Sequence, residues 1–160
     1  MPTMSTLYGT KTTITVGVAA TPLASSTSFL GGRESTLVDN STDEFVDALV
    51  QGKITVGTTP TANTSINVYV WGSDTSPASA AIVTLDGTDS DETLTNAGVL
   101  NGLKLGASIS VPATTSNVTY PVQPFSVAQL FGGVLPKFWG LFVAHNTGVA
   151  LNSTGGNHEF

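Results

Sequence analysis

Ile66-Asn67-Val68-Tyr69-Val70-Trp71 is the stretch from which the fold is read. Its aliphatic residues, Ile66, Val68 and Val70, recur at every second position, and Asn67, Tyr69 and Trp71 fill the positions between. Successive side chains of a strand leave opposite faces. The spacing therefore puts three β-branched residues on one surface and two aromatics with an amide on the other. The same period returns in Lys11 to Val18, through Ile14, Val16 and Val18, and in Leu103, Leu105, Ala107, Ile109 and Val111. Shorter strand signals lie at Ser35 to Asp39, Ala81 to Leu85 and Val118 to Val122. Pro121 places the last of these at a sheet edge, because proline has no N–H for a second neighbour. Phe138 to Ala144 is a continuous apolar run between Pro136 and Asn146, which predicts a strand buried on both sides or lying beside a partner.

Turn chemistry separates these runs. Ala24 to Gly32, ending in Gly31-Gly32, reads as a connection, as does Ser73 to Ala81, while Asp39 to Asp43 and Asp86-Gly87 read as turns. Glu44 to Thr58 carries two patterns. Thr42 suits a helix N-cap ahead of acidic residues, yet Phe45, Asp47, Leu49 and Val46, Ala48, Val50 also divide onto two faces, and Ile54-Thr55-Val56 is strand-like. The reading favours one long bent strand interrupted near Gly52, and the connection from Thr58 to Thr64 permits a hairpin with the strand that follows. Ser126 to Phe131 suits a single helical turn. Together these signals predict an all-β fold, an antiparallel β-sandwich or jelly roll of about eight strands with one short helical turn. An N-terminal arm over residues 1–11 precedes a single sandwich domain over residues 12–160.

The composition narrows the function. At 160 residues the chain suits one domain with a real core. Charged residues make up 10 %, against about 25 % in an average domain, and Thr, Ser, Asn and Gly fill the gap. The formal net charge is −6, and the basic residues Lys11, Arg33, Lys53, Lys104 and Lys137 stand far apart. Phosphate neutralisation requires a clustered basic face, so nucleic acid is not an expected partner. No stretch approaches the roughly 20 apolar residues of a membrane span, and Met1 to Thr10 has no basic region followed by an apolar run. The expectation is a soluble protein made in the cytoplasm, with no membrane partner. The absence of cysteine excludes disulfides, thiol catalysis and sulfur-ligated metals.

Catalysis has little to work with. A Ser-His-Asp arrangement needs a histidine to take the proton, and only His145, after an apolar run, and His158, near the end of the sequence, are present. No G-x-S-x-G elbow accompanies them, so both read as structural or surface residues. Asp86, Asp89, Asp91 and Glu92 share one loop, whereas a glycosidase pair sits across a cleft, and calcium-loop spacing is missing. A solvated turn is the simpler reading. The pairs Gly31-Gly32, Gly132-Gly133 and Gly155-Gly156 lack the Lys and hydroxyl of a phosphate loop. No catalytic, cofactor or metal site is expected, and the protein is expected not to be an enzyme. Tyr69 and Trp71 share a strand face. Exposed, they suit an interface or a glycan platform; covered by a sandwich edge or loop, they are core. Phe138, Trp139 and Phe142 read as core.

Gly32-Arg33-Glu34-Ser35-Thr36, Gly52-Lys53-Ile54-Thr55-Val56-Gly57-Thr58, Val68-Tyr69-Val70-Trp71-Gly72-Ser73, Ala128-Gln129-Leu130-Phe131-Gly132-Gly133, Leu135-Pro136-Lys137-Phe138-Trp139-Gly140 and His145-Asn146-Thr147-Gly148 form a set. As a set they resemble a group of small virion proteins of tailed bacteriophages, from about Arg33 to His158. These are packing and turn motifs, not active-site signatures. The resemblance implies a capsid decoration or cement protein on the virion surface. Its expected partners are the major capsid protein and further copies of itself, as a trimer or dimer. A virion-displayed carbohydrate-binding sandwich and a tail or neck component are the alternatives. Such proteins continue with another strand after the segment matching Gly155-Gly156-Asn157-His158, so the closing strand is expected to be short or missing here.

Overall fold

The computed structural model of the chain describes residues 9, 13–14, 22–75, 84–154 and 156–160. Among these, the elements follow in the order β1 (Gly31–Glu34), β2 (Val38–Asp39), β3 (Leu49–Thr55), β4 (Thr64–Ser73), β5 (Asp91–Thr93), α1 (Ala97–Gly102), β6 (Lys104–Val111), β7 (Thr119–Ser126), α2 (Val127–Leu130) and β8 (Phe138–His145). Every strand pairing is antiparallel. The larger sheet runs β5-β1-β8-β4-β6 with β2 also paired to β8, and the smaller sheet pairs β3 with β7. The protein is an all-β sandwich. The arm over residues 1–11 lies outside the described residues except for Gly9, as does the Lys11 to Val18 strand except for Thr13 and Ile14. Of the Ala81 to Leu85 strand, only Thr84 and Leu85 are described.

The apolar run of β8 is explained by its place. β8 has β1 and β2 on one side and β4 on the other, and both of its faces are covered. Trp139, Leu141 and Val143 point into the space between the sheets, where they meet Ile66, Val68 and Val70 of β4 and Val50, Ile54 and Val122 of the smaller sheet. Phe142 and Ala144 point the other way into a second core with Trp71, Leu85, Leu94 and Leu103. Burial at roughly 25 cal/mol per Å2 of apolar surface makes these two layers the main favourable contribution to folding. Glycines make the close approaches possible. A Cβ on Gly32 would collide with the Phe142 ring, and one on Gly140 would lie 2.7 Å from the Trp71 indole nitrogen.

Several expectations are corrected by the pairing. β3 and β4 do not form a hairpin: they lie in different sheets and pack face to face. β4 pairs instead with β6 and β8, and turns Ile66, Val68 and Val70 toward Val50 and Ile54 of β3. Gly31-Gly32 opens β1 rather than ending a loop, because the glycine surface is what admits Phe142. Ser35 to Asp39 is not continuous. Ser35 breaks from the ladder, its N–H bonding to the Leu141 carbonyl and its Oγ accepting from the Leu141 N–H, and only Val38–Asp39 returns to β8. The bent strand begins at Leu49, not Glu44, and its register shifts between Val50 and Gly52 as expected near Gly52. Asn40 accounts for the difference at the start. Its side chain accepts from the Phe45 N–H (2.8 Å) and donates to the Phe45 carbonyl (3.0 Å), holding a turn where ladder bonds would form.

β6 alternates with one interruption. Val68 faces Ala107 but Tyr69 faces Leu105, so Gly106 is an extra residue. The bulge turns Ala107, Ile109 and Val111 toward the inter-sheet core and Leu103 toward the second core. β7 lies at an edge, paired only with β3, in agreement with Pro121. The helical turn at α2 is capped by Ser126, whose side chain accepts from the Gln129 N–H. Glu159 forms an isolated bridge with Lys53 on the outer side of β3, through N–H···O bonds of 2.8 and 3.1 Å, so a closing pairing exists but is one residue long.

Candidate functional site

Trp71 does not stand on an exposed platform. It is 1 % exposed and packs beneath Leu85, Leu94 and Leu103, while Tyr69 is half-buried with its ring 6.4 Å from that of Phe142. The sequence places the two aromatics on one face correctly. The layer that covers them, residues 84–103, carries a weak strand and helix signal and was missed. Its N-cap, Asn96, accepts from the Gly98 and Val99 N–H groups, but Ala97–Gly102 contains two glycines and an asparagine, poor helix formers.

His145 is buried, His158 is half-buried, and both have hydrogen-bond partners. His145 is fully buried, with Nε2 3.0 Å from the Leu23 carbonyl and Nδ1 2.9 Å from Thr147 Oγ1. A carbonyl only accepts, so Nε2 carries the proton and Nδ1 is left as an acceptor. Burial lowers the His145 pKa, against the opposing pull of the Leu23 carbonyl, and so keeps the ring neutral. His158 bonds through Nε2 to the Asn152 carbonyl at 2.7 Å, and its pKa is likewise lowered by burial.

The acidic loop is docked on β1, not solvated throughout. Arg33 donates from Nε to Asp89 Oδ1 (2.8 Å), from one terminal nitrogen to Asp91 Oδ1 (3.1 Å) and from the other to the Asp89 carbonyl (2.9 Å). Glu34, on the opposite face of β1, is 0 % exposed. Its carboxyl accepts from the Gly87 N–H at 2.8 Å and the Asp86 N–H at 3.1 Å, which ties the Asp86-Gly87 turn over the second core. Burial pushes the Glu34 pKa up to about 7; the two N–H bonds oppose the rise, and the charges of Asp86 and Glu92 add to it. Among the described residues, no group of three His, Asp or Glu side chains is arranged to hold a metal ion.

Among the described residues, five large apolar side chains are left exposed outside both cores, one of them Leu105 on β6. Val46 is 86 % exposed and Leu49 67 %, and Phe45 and Val134 are also out in solvent. Phe45, Val46 and Leu49 flank the residues that tie this segment to α2, where the Val127 N–H bonds to the Ala48 carbonyl and Asp47 accepts from the Ala128 N–H, and Val134 follows four residues after α2. A cleft of about 290 Å3 opens at the neighbouring side of the sandwich, between Ala107, Ser108 and Ile109 of β6 and Pro121, Gln123 and Pro124 of β7. Neither feature presents a nucleophile with a base. In comparisons with known proteins, no family model matches the chain, and no curated protein or solved structure matches it.

Proposed function

We propose that this chain is a non-enzymatic structural protein of a tailed-bacteriophage virion, a decoration or cement protein that binds the outer capsid shell and bridges capsomers as a homo-oligomer. The observation that carries the reading is the exposed apolar group Phe45, Val46, Leu49 and Val134 around α2. Apolar side chains gathered on a surface are the mark of a face that another protein covers. On a shell, many symmetric copies of a modest contact add up to strong stabilisation through effective concentration. The resemblance of its packing motifs to small virion proteins supplies the partner, the major capsid protein. The burial of Trp71 removes the exposed aromatic pair on which a glycan-binding reading depends.

The test is made on particles. Shells carrying the protein are expected to resist heating better than shells lacking it. The doubly substituted V46D/L49D chain is expected to fold normally but fail to restore that resistance. Equal heat resistance with and without the protein refutes the cementing role.

A further inference from the structure

We infer that β6 is a self-association edge: two copies of this chain pair their Lys104–Val111 strands antiparallel about a twofold axis, joining their larger sheets side by side. The inference extends the proposed reading by naming the surface through which copies meet. It starts from how the sheet edges are finished. An open edge offers unpaired N–H and C=O groups to any passing strand, and proteins shorten, block or cover such edges. β5 is three residues long. β7 contains Pro121 and Pro124, which have no N–H to offer. The outer side of β3 is occupied by Glu159. β6 is guarded only near its start, by Lys104 and the Gly106 bulge, and from Ala107 to Val111 it carries none of these devices. It is eight residues long, has no proline and pairs only with β4, and among the described residues no main-chain hydrogen bond from elsewhere reaches it.

Charge points to a second copy as the occupant. Leu105 to Pro136 contains no Asp, Glu, Lys, Arg or His, in a chain of net charge −6. Asp91 and Glu92 lie on β5, at the opposite end of the larger sheet from β6. Two identical acidic molecules that meet at β6 therefore bring together strands whose one charged residue is Lys104 and hold Asp91 and Glu92 at the far edges of the joined sheets. The strand also suits its own reverse. In a centred antiparallel pair Lys104 lies opposite Val111 of the other copy, and the two Lys104 side chains stand about 23 Å apart at 3.3 Å per residue, well beyond the screening length of about 8 Å. The cleft between β6 and β7, with Ala107 and Ile109 among its lining residues, gives inward side chains of the added strand a place to pack.

The experiment is sedimentation equilibrium of the full chain, from micromolar to millimolar concentration. A dimer of twice the 16.3 kDa chain mass is expected for the wild type. Ser108 and Ser110 are exposed on β6, and Thr93 is exposed on β5. S108K and S110K, each checked by thermal melting to be folded, are expected to be monomeric, and T93K to remain a dimer. Hydrogen exchange should show residues 104–111 gaining protection as concentration rises. A wild type that is monomeric throughout overturns the inference, as does a dimer that survives both serine substitutions. A monomeric wild type that still stabilises particles overturns this inference alone and leaves the virion role standing.

Discussion

Replacing Glu34 by glutamine should change how stability depends on pH, with a sign that follows from the structure. Glu34 has a pKa of about 7 in the folded chain, against an ordinary value of 4.5. The folded state thus binds this proton more tightly than the unfolded state, so Glu34 contributes stability that is fully present below about pH 4.5. That stability is lost as pH rises through 7. The difference corresponds to about 3 kcal/mol at 1.36 kcal/mol per unit. Glutamine does not titrate. It keeps an acceptor for one of the two N–H groups of Asp86 and Gly87 but turns its amide toward the other, a fixed cost of about 1–3 kcal/mol. Urea unfolding of wild type and E34Q at half-unit steps from pH 4 to pH 8 isolates the titration, because the glutamine cost and every other titrating group cancel in the change of the difference. E34Q is expected to gain on wild type by about 3 kcal/mol across that range. A difference that stays flat, or that moves in favour of wild type as pH rises, refutes the placement of a buried carboxyl, held by two N–H groups, beneath the Asp86-Gly87 turn.

His145 should act with the opposite sign. Its pKa is lowered on folding, so the unfolded chain binds the proton first and stability should fall as pH drops below about 6.5; in the E34Q background, H145Q is expected to reduce that acid slope, with His158 supplying the remainder, and an unchanged slope counts against it. Adding a methyl group at Gly32 drives it against the Phe142 ring and to 2.6 Å from the Val143 carbonyl, so G32A should lose about 1–3 kcal/mol in urea melts. Both tryptophans are enclosed, Trp71 at 1 % and Trp139 at 3 % exposure, so emission should be blue-shifted and resist iodide; strong quenching in a W139F chain would show Trp71 at the surface.

The parts of the fold legible in the sequence are those whose signal is local. β4 declares itself through alternation, and β8 through an apolar run that only a strand covered on both faces can use. Pro121 reports an edge and Ser126 a helical turn because each acts on its own backbone. What escaped depends on distant partners. Asp91-Glu92-Thr93 is charged and short, and becomes β5 only because Gly31–Arg33 lie beside it. The fate of Trp71 is decided by Leu85, Leu94 and Leu103, whose segment has little pattern of its own. The Asp86 to Glu92 cluster reads as a solvated turn until Arg33 and Glu34 arrive from β1. Phe45, Val46 and Leu49 were read into the two faces of a longer strand, since period alone does not tell which face meets water.

The position of β8 in the larger sheet has a consequence for the timing of synthesis. β1, β2 and β4 all take residues 138–145 as their neighbour, with Ser35 reaching Leu141 across 106 positions of sequence. On the ribosome these early strands emerge with their shared centre still unmade, and at 5–20 residues per second they wait for several seconds. Such distant pairings make folding slow, on the scale of milliseconds to seconds. During that wait the nascent chain depends on its Thr, Ser and Asn content to stay dispersed until the central strand closes the sheet.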